Sequence, residues 1–154
     1  MDPTKKELYG AKRSSGLDVS DPTIQITIKN LKDDSSDINW ILFNVTPSNS
    51  LASHSSGSNH FVGLKSNLTD DDVFYGVIKV VVSNKTKFYH IFFVGLNVTA
   101  MKKGKSSLYK SLVFSLVEAH GEVVFNNGIN EFTDEYVRNE IARLSGTLIS
   151  NITI

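Results

Sequence analysis

The hydrophobic positions of this 154-residue chain form short β-prone runs and longer amphipathic segments. Continuous apolar runs rich in strand-forming residues predict strands at residues 38–45, 73–82, 87–95 and 122–126. A short SNK turn separates the second run from the third, which predicts an antiparallel hairpin. Because both arms of this hairpin are apolar almost throughout, we expect helices to cover the sheet on both faces.

Amphipathic spacing predicts helices in three other segments. Residues 133–146 begin with Thr133 as a candidate N-cap, continue with two carboxylates in the first turn, and carry apolar residues on one face. A second helix is predicted from Ser107, where leucines recur every four residues, with Gly121 as its stop signal. Residues 61–68 predict a short helix packed against the sheet. The expected core-facing residues of these helices are Val137, Ile141, Leu144, Leu108, Leu112, Leu116, Phe61, Leu64 and Leu68.

Two further segments leave alternatives open at the level of local sequence. Residues 20–34 start with Ser20 as a candidate N-cap and have one apolar helical face. The β-branched alternation within the same segment favours a strand instead. The serine-rich residues 48–59 are typical of a loop or of a weak edge strand.

The length of the chain is that of one domain. Residues 1–19 are charged and contain little apolar surface, so we expect a flexible N-terminal arm there. Residues 20–146 carry the predicted elements and form the expected domain. Residues 147–154 are a β-prone C-terminal tail to which the sequence assigns no place.

Composition narrows the choice of partners and of compartment. Sixteen basic residues balance sixteen acidic ones, so no net field attracts nucleic acid, and we expect no nucleic-acid partner. The chain contains no cysteine, which is typical of proteins in a reducing compartment. It has no apolar run near the ~20 residues that cross a bilayer, and no signal-peptide pattern at its start. We therefore expect a packed protein of the cytoplasm without a membrane span.

No pattern in the sequence predicts an active site. The KGKS sequence at residues 103–106 resembles the end of a phosphate-binding loop, but Thr99 stands where that loop requires glycine, and we expect a flexible basic turn. The four histidines lack metal-ligand spacing, and His90 is expected in the sheet with a hydrogen-bonded partner. The acidic residues 70–72 are typical of a solvated turn. We expect no catalytic residue, metal or cofactor, and a protein that is not an enzyme.

Lysines stand out at the ends of the predicted hairpin. Lys85 and Lys87 open its second strand and share one face, because alternate strand residues point to the same side. We expect these lysines and those that follow the exit of the strand to lie at one end of the sheet. They form either a solvated basic rim or a docking surface for an acidic protein. The lysines that follow the exit are Lys102, Lys103, Lys105 and Lys110.

Four segments in order resemble the actin-depolymerising-factor homology (ADF/cofilin) family, and its coactosin-like members above all. They are DINWILF at 37–43, TDDDVFYGVIKV at 69–80, NKTKFYHIFFVG at 84–95 and VTAMKKGKSSLYK at 98–110. The resemblance extends over about residues 20–145. It implies an α+β fold with a central mixed five-stranded sheet between helices on both faces. It also implies that the ambiguous segment after Ser20 is the first helix.

The same resemblance implies a partner and the residues that meet it. Members of this family bind actin, and in coactosin-like proteins the basic residue at the start of the fourth strand is closely tied to filament contact. That residue corresponds to Lys87, with Lys85 as the expected secondary contact. The other expected contacts are on the last helix and at the basic start of the third helix, where depolymerising relatives grip monomeric actin. They are Arg138, Arg143, Lys102, Lys103 and Lys105.

The function expected on this basis is that of a monomeric actin-filament (F-actin) binder in the cytoplasm and cytoskeleton. It attaches to the sides of filaments and modulates capping or turnover without catalysis, with other actin regulators as further partners. Two alternatives lie within the family: a cofilin-like depolymerising and severing factor, and a glia-maturation-factor-like regulator of branched actin. A scaffold or an enzyme regulator with the same fold is the alternative from another class, because a fold does not determine a function.

Overall fold

A computed structural model describes residues 16–154 of the chain. Over these residues the chain forms a mixed six-stranded sheet and four α-helices. The strands are β1 (Trp40–Val45), β2 (Leu51–Gly57), β3 (Val73–Val82), β4 (Lys85–Val94), β5 (Glu122–Phe125) and β6 (Ile152–Thr153). The helices are α1 (Pro22–Lys32), α2 (His60–Ser66), α3 (Ala100–Ser115) and α4 (Asp134–Ser145), with short 3₁₀ turns at Ile129–Glu131 and Ile149–Asn151.

The order of strands in the sheet is β2-β1-β3-β4-β5, and β6 pairs with β3. Neighbouring strands are antiparallel except β4 and β5, which run parallel. The predicted hairpin is β3 and β4, and its register is unbroken from Val73 opposite Val94 to Val82 opposite Lys85. The expected α+β fold with a mixed sheet is confirmed. To the five expected strands the structure adds β6, which the sequence did not predict.

Hydrophobic side chains cover the sheet on both faces, as the apolar hairpin predicted. Trp40 and Phe93 belong to the core under α2 and α4. Tyr75 and Phe92 belong to the core under α1 and α3. Consecutive residues of β3 and β4 therefore enter opposite cores, which explains why both strands are apolar at almost every position.

The segment that local sequence left ambiguous forms helix α1. Its N-cap is Asp21 rather than Ser20, because the Asp21 carboxylate accepts a 2.9 Å hydrogen bond from the N–H of Thr23. Pro22 follows in the first turn, where the N–H that proline lacks has no helical partner to lose. Ile26, which belongs to the strand-like alternation, is 59% exposed. The buried residues of α1 are Ile24, Ile28 and Leu31.

Helix α3 begins earlier than the prediction from Ser107. Thr99 is its N-cap, and the Thr99 hydroxyl accepts a 3.2 Å hydrogen bond from the N–H of Lys102. The predicted flexible turn at residues 103–106 is therefore wrong, because these residues lie within the first turns of the helix. The leucine face was wrong for Leu108, which is 75% exposed, whereas Leu112 and Leu116 are partly buried against the core under α1 and α3. The buried residues of α3 are Ser106, Tyr109 and Val113.

The other predicted elements agree with the structure. Thr133 caps α4, where its hydroxyl accepts a 3.1 Å hydrogen bond from the N–H of Tyr136, and the helix ends at Gly146 with φ of 66°. The serine-rich segment forms the edge strand β2. Ser83 and Asn84 have φ of 49° and 67°, which suits a two-residue hairpin turn.

Residues that flank the expected domain on both sides are part of the packed structure. Leu17 and Val19, which the sequence placed in the flexible arm, are buried in the core under α1 and α3. Residues 1–15 of that arm lie outside the described residues. In the tail, Ile152 and Ile154 are buried in the core under α4. The packed part of the described chain thus starts before residue 20 and continues past residue 146.

Candidate functional site

The tip of the β3–β4 hairpin presents two of the predicted lysines. Lys85 lies opposite Val82 and Lys87 opposite Val80, so both occupy the same face of β4, roughly 7 Å apart along the strand. Lys85 is exposed and Lys87 is half-buried. Within residues 16–154, neither ammonium group has a carboxylate or hydrogen-bond partner. These cations are therefore free to meet an external anion. We call Lys85, Lys87 and the turn at residues 83–84 the hairpin tip.

Phe88, the neighbour of Lys87 in β4, is held in place by His120 and Lys32. The N–H of Phe88 donates to Nδ1 of His120 at 3.1 Å, and the carbonyl of Phe88 accepts from the N–H of His120 at 2.7 Å. The ammonium of Lys32 lies 3.7 Å from the centre of the Phe88 ring, and burial lowers the pKa of Lys32. Lys87 thus extends from a backbone whose position several contacts determine.

The C-terminal tail packs against the hairpin tip. The N–H of Ser83 donates to the carbonyl of Asn151 at 2.9 Å, and the hydroxyls of Ser83 and Thr147 are 3.2 Å apart. The tail leaves Leu148 72% exposed and Ile149 43% exposed at this end of the molecule. Sequence reasoning missed these two residues, although a β-prone tail without an assigned place was a signal that it packs somewhere.

The two arginines predicted on α4 have different surroundings. Arg143 is exposed and lies near the end of the helix, where its guanidinium is 2.6 Å from the Glu140 carboxylate, whose hydrogen bond raises the pKa of Arg143. Arg138 instead donates to the carboxylate of Asp134 and to the backbone carbonyl of Ile152. Arg143 thus stays largely exposed beside its ion pair with Glu140, whereas Arg138 is engaged both by its own helix and by the tail.

The lysines at the start of α3 lie at the other end of the sheet from the hairpin tip. The first turn of α3 contacts the start of β3, where the ammonium of Lys102 is 2.6 Å from the Asp72 carboxylate. A ten-residue strand separates this point from the hairpin tip, which corresponds to roughly 30 Å. The expectation that all of these lysines share one end of the sheet is wrong. Lys85 and Lys87 lie at the start of β4, whereas Lys102 and the other lysines of α3 come after the end of this ten-residue strand. Lys103 and Lys105 are exposed, and Lys110 pairs with Glu122 at 3.2 Å.

The acidic residues 70–72 form a turn with Asp71 exposed, as expected, and the turn also joins three other segments of the chain. Asp70 accepts a 3.0 Å hydrogen bond from the N–H of Ile129, which precedes α4. Asp71 accepts from the side-chain amide of Asn97 at 2.9 Å, and Asp72 accepts from that of Asn44 at 3.1 Å. Each carboxylate thus contacts a different segment, and together they fix the end of the sheet where α3 begins.

The part of the chain that the structure describes shows neither a cluster of metal ligands nor a membrane-spanning helix. Residues 16–154 contain no group of three or more metal-ligating side chains of the histidine, cysteine and carboxylate types. None of the helices in this range has the length and apolar character to cross a bilayer.

His90 lies in the sheet with its Nε2 2.6 Å from the carbonyl of Val117, as predicted, and burial lowers its pKa.

Comparison with known proteins identifies relatives of this chain. The model of the family described as cofilin/tropomyosin-type actin-binding protein matches residues 16–142. The drebrin-like protein of Dictyostelium discoideum is 33% identical over 95 residues, which are 60% of this chain and 20% of that protein. The chain therefore spans about a fifth of the length of that relative.

Solved structures of related proteins share the fold. Human coactosin-like protein superimposes with a TM-score of 0.74 at 19% identity, covering 82% of this chain and 98% of that one. Coactosin from Entamoeba histolytica gives a TM-score of 0.74 at 18% identity, covering 86% and 99% of the two chains. The cofilin of Streptomyces griseoflavus gives 0.70 at 15% identity, covering 80% and 96%.

Proposed function

Because this chain belongs to the family of cofilin/tropomyosin-type actin-binding proteins, we propose that it binds along the sides of actin filaments. In this proposal it modulates capping or turnover of the filament without a catalytic step. The chain acts as a monomer associated with the cytoskeleton in the cytoplasm, and other actin regulators meet it on the filament. The observation that carries the proposal is the pair of unpartnered lysines at the hairpin tip.

Lys87 is suited to contact an acidic protein surface. Its side chain is half-buried in the free protein, so less of it has to leave water on binding, and the free-energy cost of desolvation on binding is lower. The fixed backbone of Phe88 beside it reduces the conformational freedom lost on binding. Actin is an acidic protein, and a carboxylate that reaches Lys87 forms an ion pair without deep burial of either charge. Such pairs set orientation and association rate, and losing one partner of a buried pair costs about 2–5 kcal/mol.

The tail supplies apolar area next to this charge. Leu148 and Ile149 are exposed beside the hairpin turn that the tail contacts through Ser83. Binding surfaces combine an apolar centre with charged groups at their rim, because the apolar part contributes affinity and the charges contribute orientation. The proposed surface therefore consists of Lys87, Lys85, Arg143 and these two tail residues.

A cofilin-like activity is the second candidate, and the α3 lysines favour it. Lys103 and Lys105 are exposed, and no partner within residues 16–154 neutralises them. They lie on the helix where depolymerising relatives are expected to grip monomeric actin. In this second candidate function the protein uses the α3 lysines as well as the hairpin tip and accelerates disassembly of the filament. One that uses the hairpin tip alone binds the side of the filament and leaves it intact.

Two assays on the full chain separate these candidates. In the first, the protein is centrifuged with filamentous actin at low salt. We expect it in the pellet, and less of it as salt is added, because screening weakens exposed ion pairs. A protein that stays in the supernatant at low salt contradicts the actin proposal. In the second assay, pyrene-labelled filaments are diluted with and without the protein. A side binder leaves the rate of disassembly unchanged, whereas a cofilin-like protein accelerates it.

A further inference from the structure

The loop between β5 and the 3₁₀ turn that precedes α4 contains an asparagine followed directly by a glycine. Its sequence is Asn126-Asn127-Gly128, and this is the one place in the chain where glycine follows asparagine. Asn126 and Asn127 are exposed, and all three residues lie outside the helices and strands. The proposed filament surface does not include this loop. Asn127 thus presents its side-chain amide to water immediately before a glycine.

An asparagine side chain can react with the backbone that follows it. The backbone nitrogen of the next residue attacks the side-chain Cγ atom, the side-chain nitrogen leaves as ammonia, and a five-membered succinimide ring forms. Water then opens the ring at either of its two carbonyl groups, which yields aspartate or isoaspartate. In isoaspartate the main chain runs through Cβ and Cγ and is longer by one methylene group. The net reaction consumes one water molecule and releases one ammonia, so it needs no enzyme and no cofactor.

Both reacting groups at Asn127 are free of contacts that would hold them. Within residues 16–154, neither the side chain of Asn127 nor the N–H of Gly128 has a hydrogen-bond partner. Gly128 has no Cβ atom, so no side chain of its own shields the attacking nitrogen. The attack of Gly128 on Asn127 therefore begins without the loss of a hydrogen bond within the described part of the fold.

The two other asparagines near this glycine each lack one of these features. Asn126 is exposed, but its attacking nitrogen belongs to Asn127, whose side chain crowds it. Asn130 is exposed as well, but the N–H of Glu131 that would attack it donates to the carbonyl of Gly128 at 3.1 Å. Reaction in this loop should therefore concentrate on Asn127.

The surroundings of Gly128 determine what the reaction does to the fold. A Cβ atom built on Gly128 would lie 2.6 Å from the side chain of Leu96 and 3.9 Å from Oδ2 of Asp70. The next residue, Ile129, donates its N–H to Asp70 at 3.0 Å. A longer main chain at residues 127–128 has little free space on this side, because added atoms in a packed site force their neighbours to shift.

We propose that Asn127 is a site of spontaneous deamidation, and that its isoaspartate product weakens the contact between the acidic turn at residues 70–72 and the segment that precedes α4. The extra methylene group displaces Gly128 and Ile129 relative to Asp70. The product also carries a negative charge that the asparagine lacks, beside a glycine that lies close to Asp70. The modification goes beyond the proposed filament contact, because it requires neither actin nor a partner protein.

Incubation of the purified full-length chain at mildly alkaline pH, followed by proteolysis and tandem mass spectrometry, tests the site. We expect Asn127 to deamidate about tenfold faster than Asn126 or Asn130, which corresponds to a barrier lower by about 1.4 kcal/mol. An enzyme that methylates isoaspartate should label the incubated chain at residue 127. Asn127→Gln is the matched control, because glutamine keeps the amide and would have to close a larger ring. Equal deamidation of the three asparagines, or an intact Asn127 after the incubation, would overturn the proposal.

The melting temperature tests the effect of the modification on the fold. We expect incubation to lower the melting temperature of the wild type in proportion to the isoaspartate formed at residue 127. The Asn127→Gln variant, incubated in the same way, should keep its melting temperature, since all other slow reactions are common to both proteins. A wild type that carries isoaspartate at residue 127 and melts as the fresh protein does would refute the proposed weakening. Both measurements are made without actin, so their failure is distinguishable from a failure of the filament proposal.

Discussion

The guanidinium of Arg138 in α4 donates a hydrogen bond to the backbone carbonyl of Ile152 in β6. Through this contact the last helix holds the tail, and the tail in turn contacts the hairpin turn at Ser83. Arg138 therefore acts on the candidate filament surface by positioning the tail. Arg143, five residues later and exposed, has no such internal role.

Arg138→Ala should lower the free energy of unfolding by about 1–3 kcal/mol, because it removes a charge-assisted hydrogen bond from a partly buried site. Denaturant titration measures the change. Arg143→Ala, which removes the same charge from an exposed position, should stay within about 0.5 kcal/mol of the wild type. If Arg138→Ala keeps full stability and still loses pelleting with actin, Arg138 contacts the filament directly.

Trp40→Ala should lower the free energy of unfolding by about 3–5 kcal/mol, because the indole is 2% exposed and its removal leaves a cavity. Trp40→Phe separates packing from hydrogen bonding. It retains most of the apolar contact and loses the 2.9 Å bond from Nε1 to the side-chain oxygen of Asn59. We expect an intermediate loss for this variant in the same titration. Equal losses for the two variants would mean that the hydrogen bond, rather than the packed ring, is the dominant contribution.

Two glycines should respond oppositely to alanine. Gly104 lies in α3 with nothing within 4 Å of an added Cβ atom, so Gly104→Ala should raise stability by about 0.5–1 kcal/mol through helix propensity. At Gly95 an added Cβ atom lies 2.3 Å from the backbone oxygen of Asp70, so Gly95→Ala should destabilise the acidic turn at residues 70–72. Melting temperatures of the two variants test this pair. A loss of stability for Gly104→Ala would contradict the helical structure of residues 103–106.

His90 should make stability depend on pH. Burial lowers its pKa in the folded chain, Lys32 lowers it further, and Val117 and Glu122 oppose the shift. The folded state therefore binds a proton less readily than the unfolded chain, whose histidine pKa is about 6.5. The contribution of His90 is fully present above about pH 6.5 and is lost as pH falls through the lowered folded-state pKa.

Melting temperatures of the wild type and of His90→Gln at about pH 7.5 and about pH 5.5 measure this contribution. We expect the wild type to lose more stability on acidification than the variant does. Other titrating groups are common to both proteins and cancel in the comparison. Equal losses would show that the folded and unfolded states bind the His90 proton with the same affinity.

The sequence was sufficient to predict an element of the fold where its local signals agreed with tertiary packing. The hairpin has two apolar arms and a turn compatible with positive φ, and α4 has a cap, a charged first turn and a glycine stop. The sequence was insufficient to predict the start of α3, because the lysines and glycine at residues 102–105 show no apolar period. That part of the helix is held instead by the Thr99 cap and by the hydroxyl of Tyr75, which donates to the carbonyl of Ser106 at 2.7 Å.

The candidate site was predictable only in part, for a similar reason. Strand alternation correctly placed Lys85 and Lys87 on one face. The tail brings Leu148 to the hairpin tip through a contact between Ser83 and Thr147, and it binds Arg138 through Ile152. The first of these pairs is far apart in sequence, and no local pattern shows either contact. The length of β4 should have indicated that lysines at its start and after its end lie far apart.

The most direct test of the central claim is co-sedimentation of the Lys87→Ala variant with filamentous actin at low salt. Lys65→Ala is the matched control, since Lys65 on α2 lines a cleft with Ile129 near the opposite end of the sheet. Both variants should keep the melting temperature of the wild type. We predict that Lys87→Ala loses pelleting at concentrations where the wild type and Lys65→Ala pellet fully. Pelleting of folded Lys87→Ala at the level of the wild type would contradict the account.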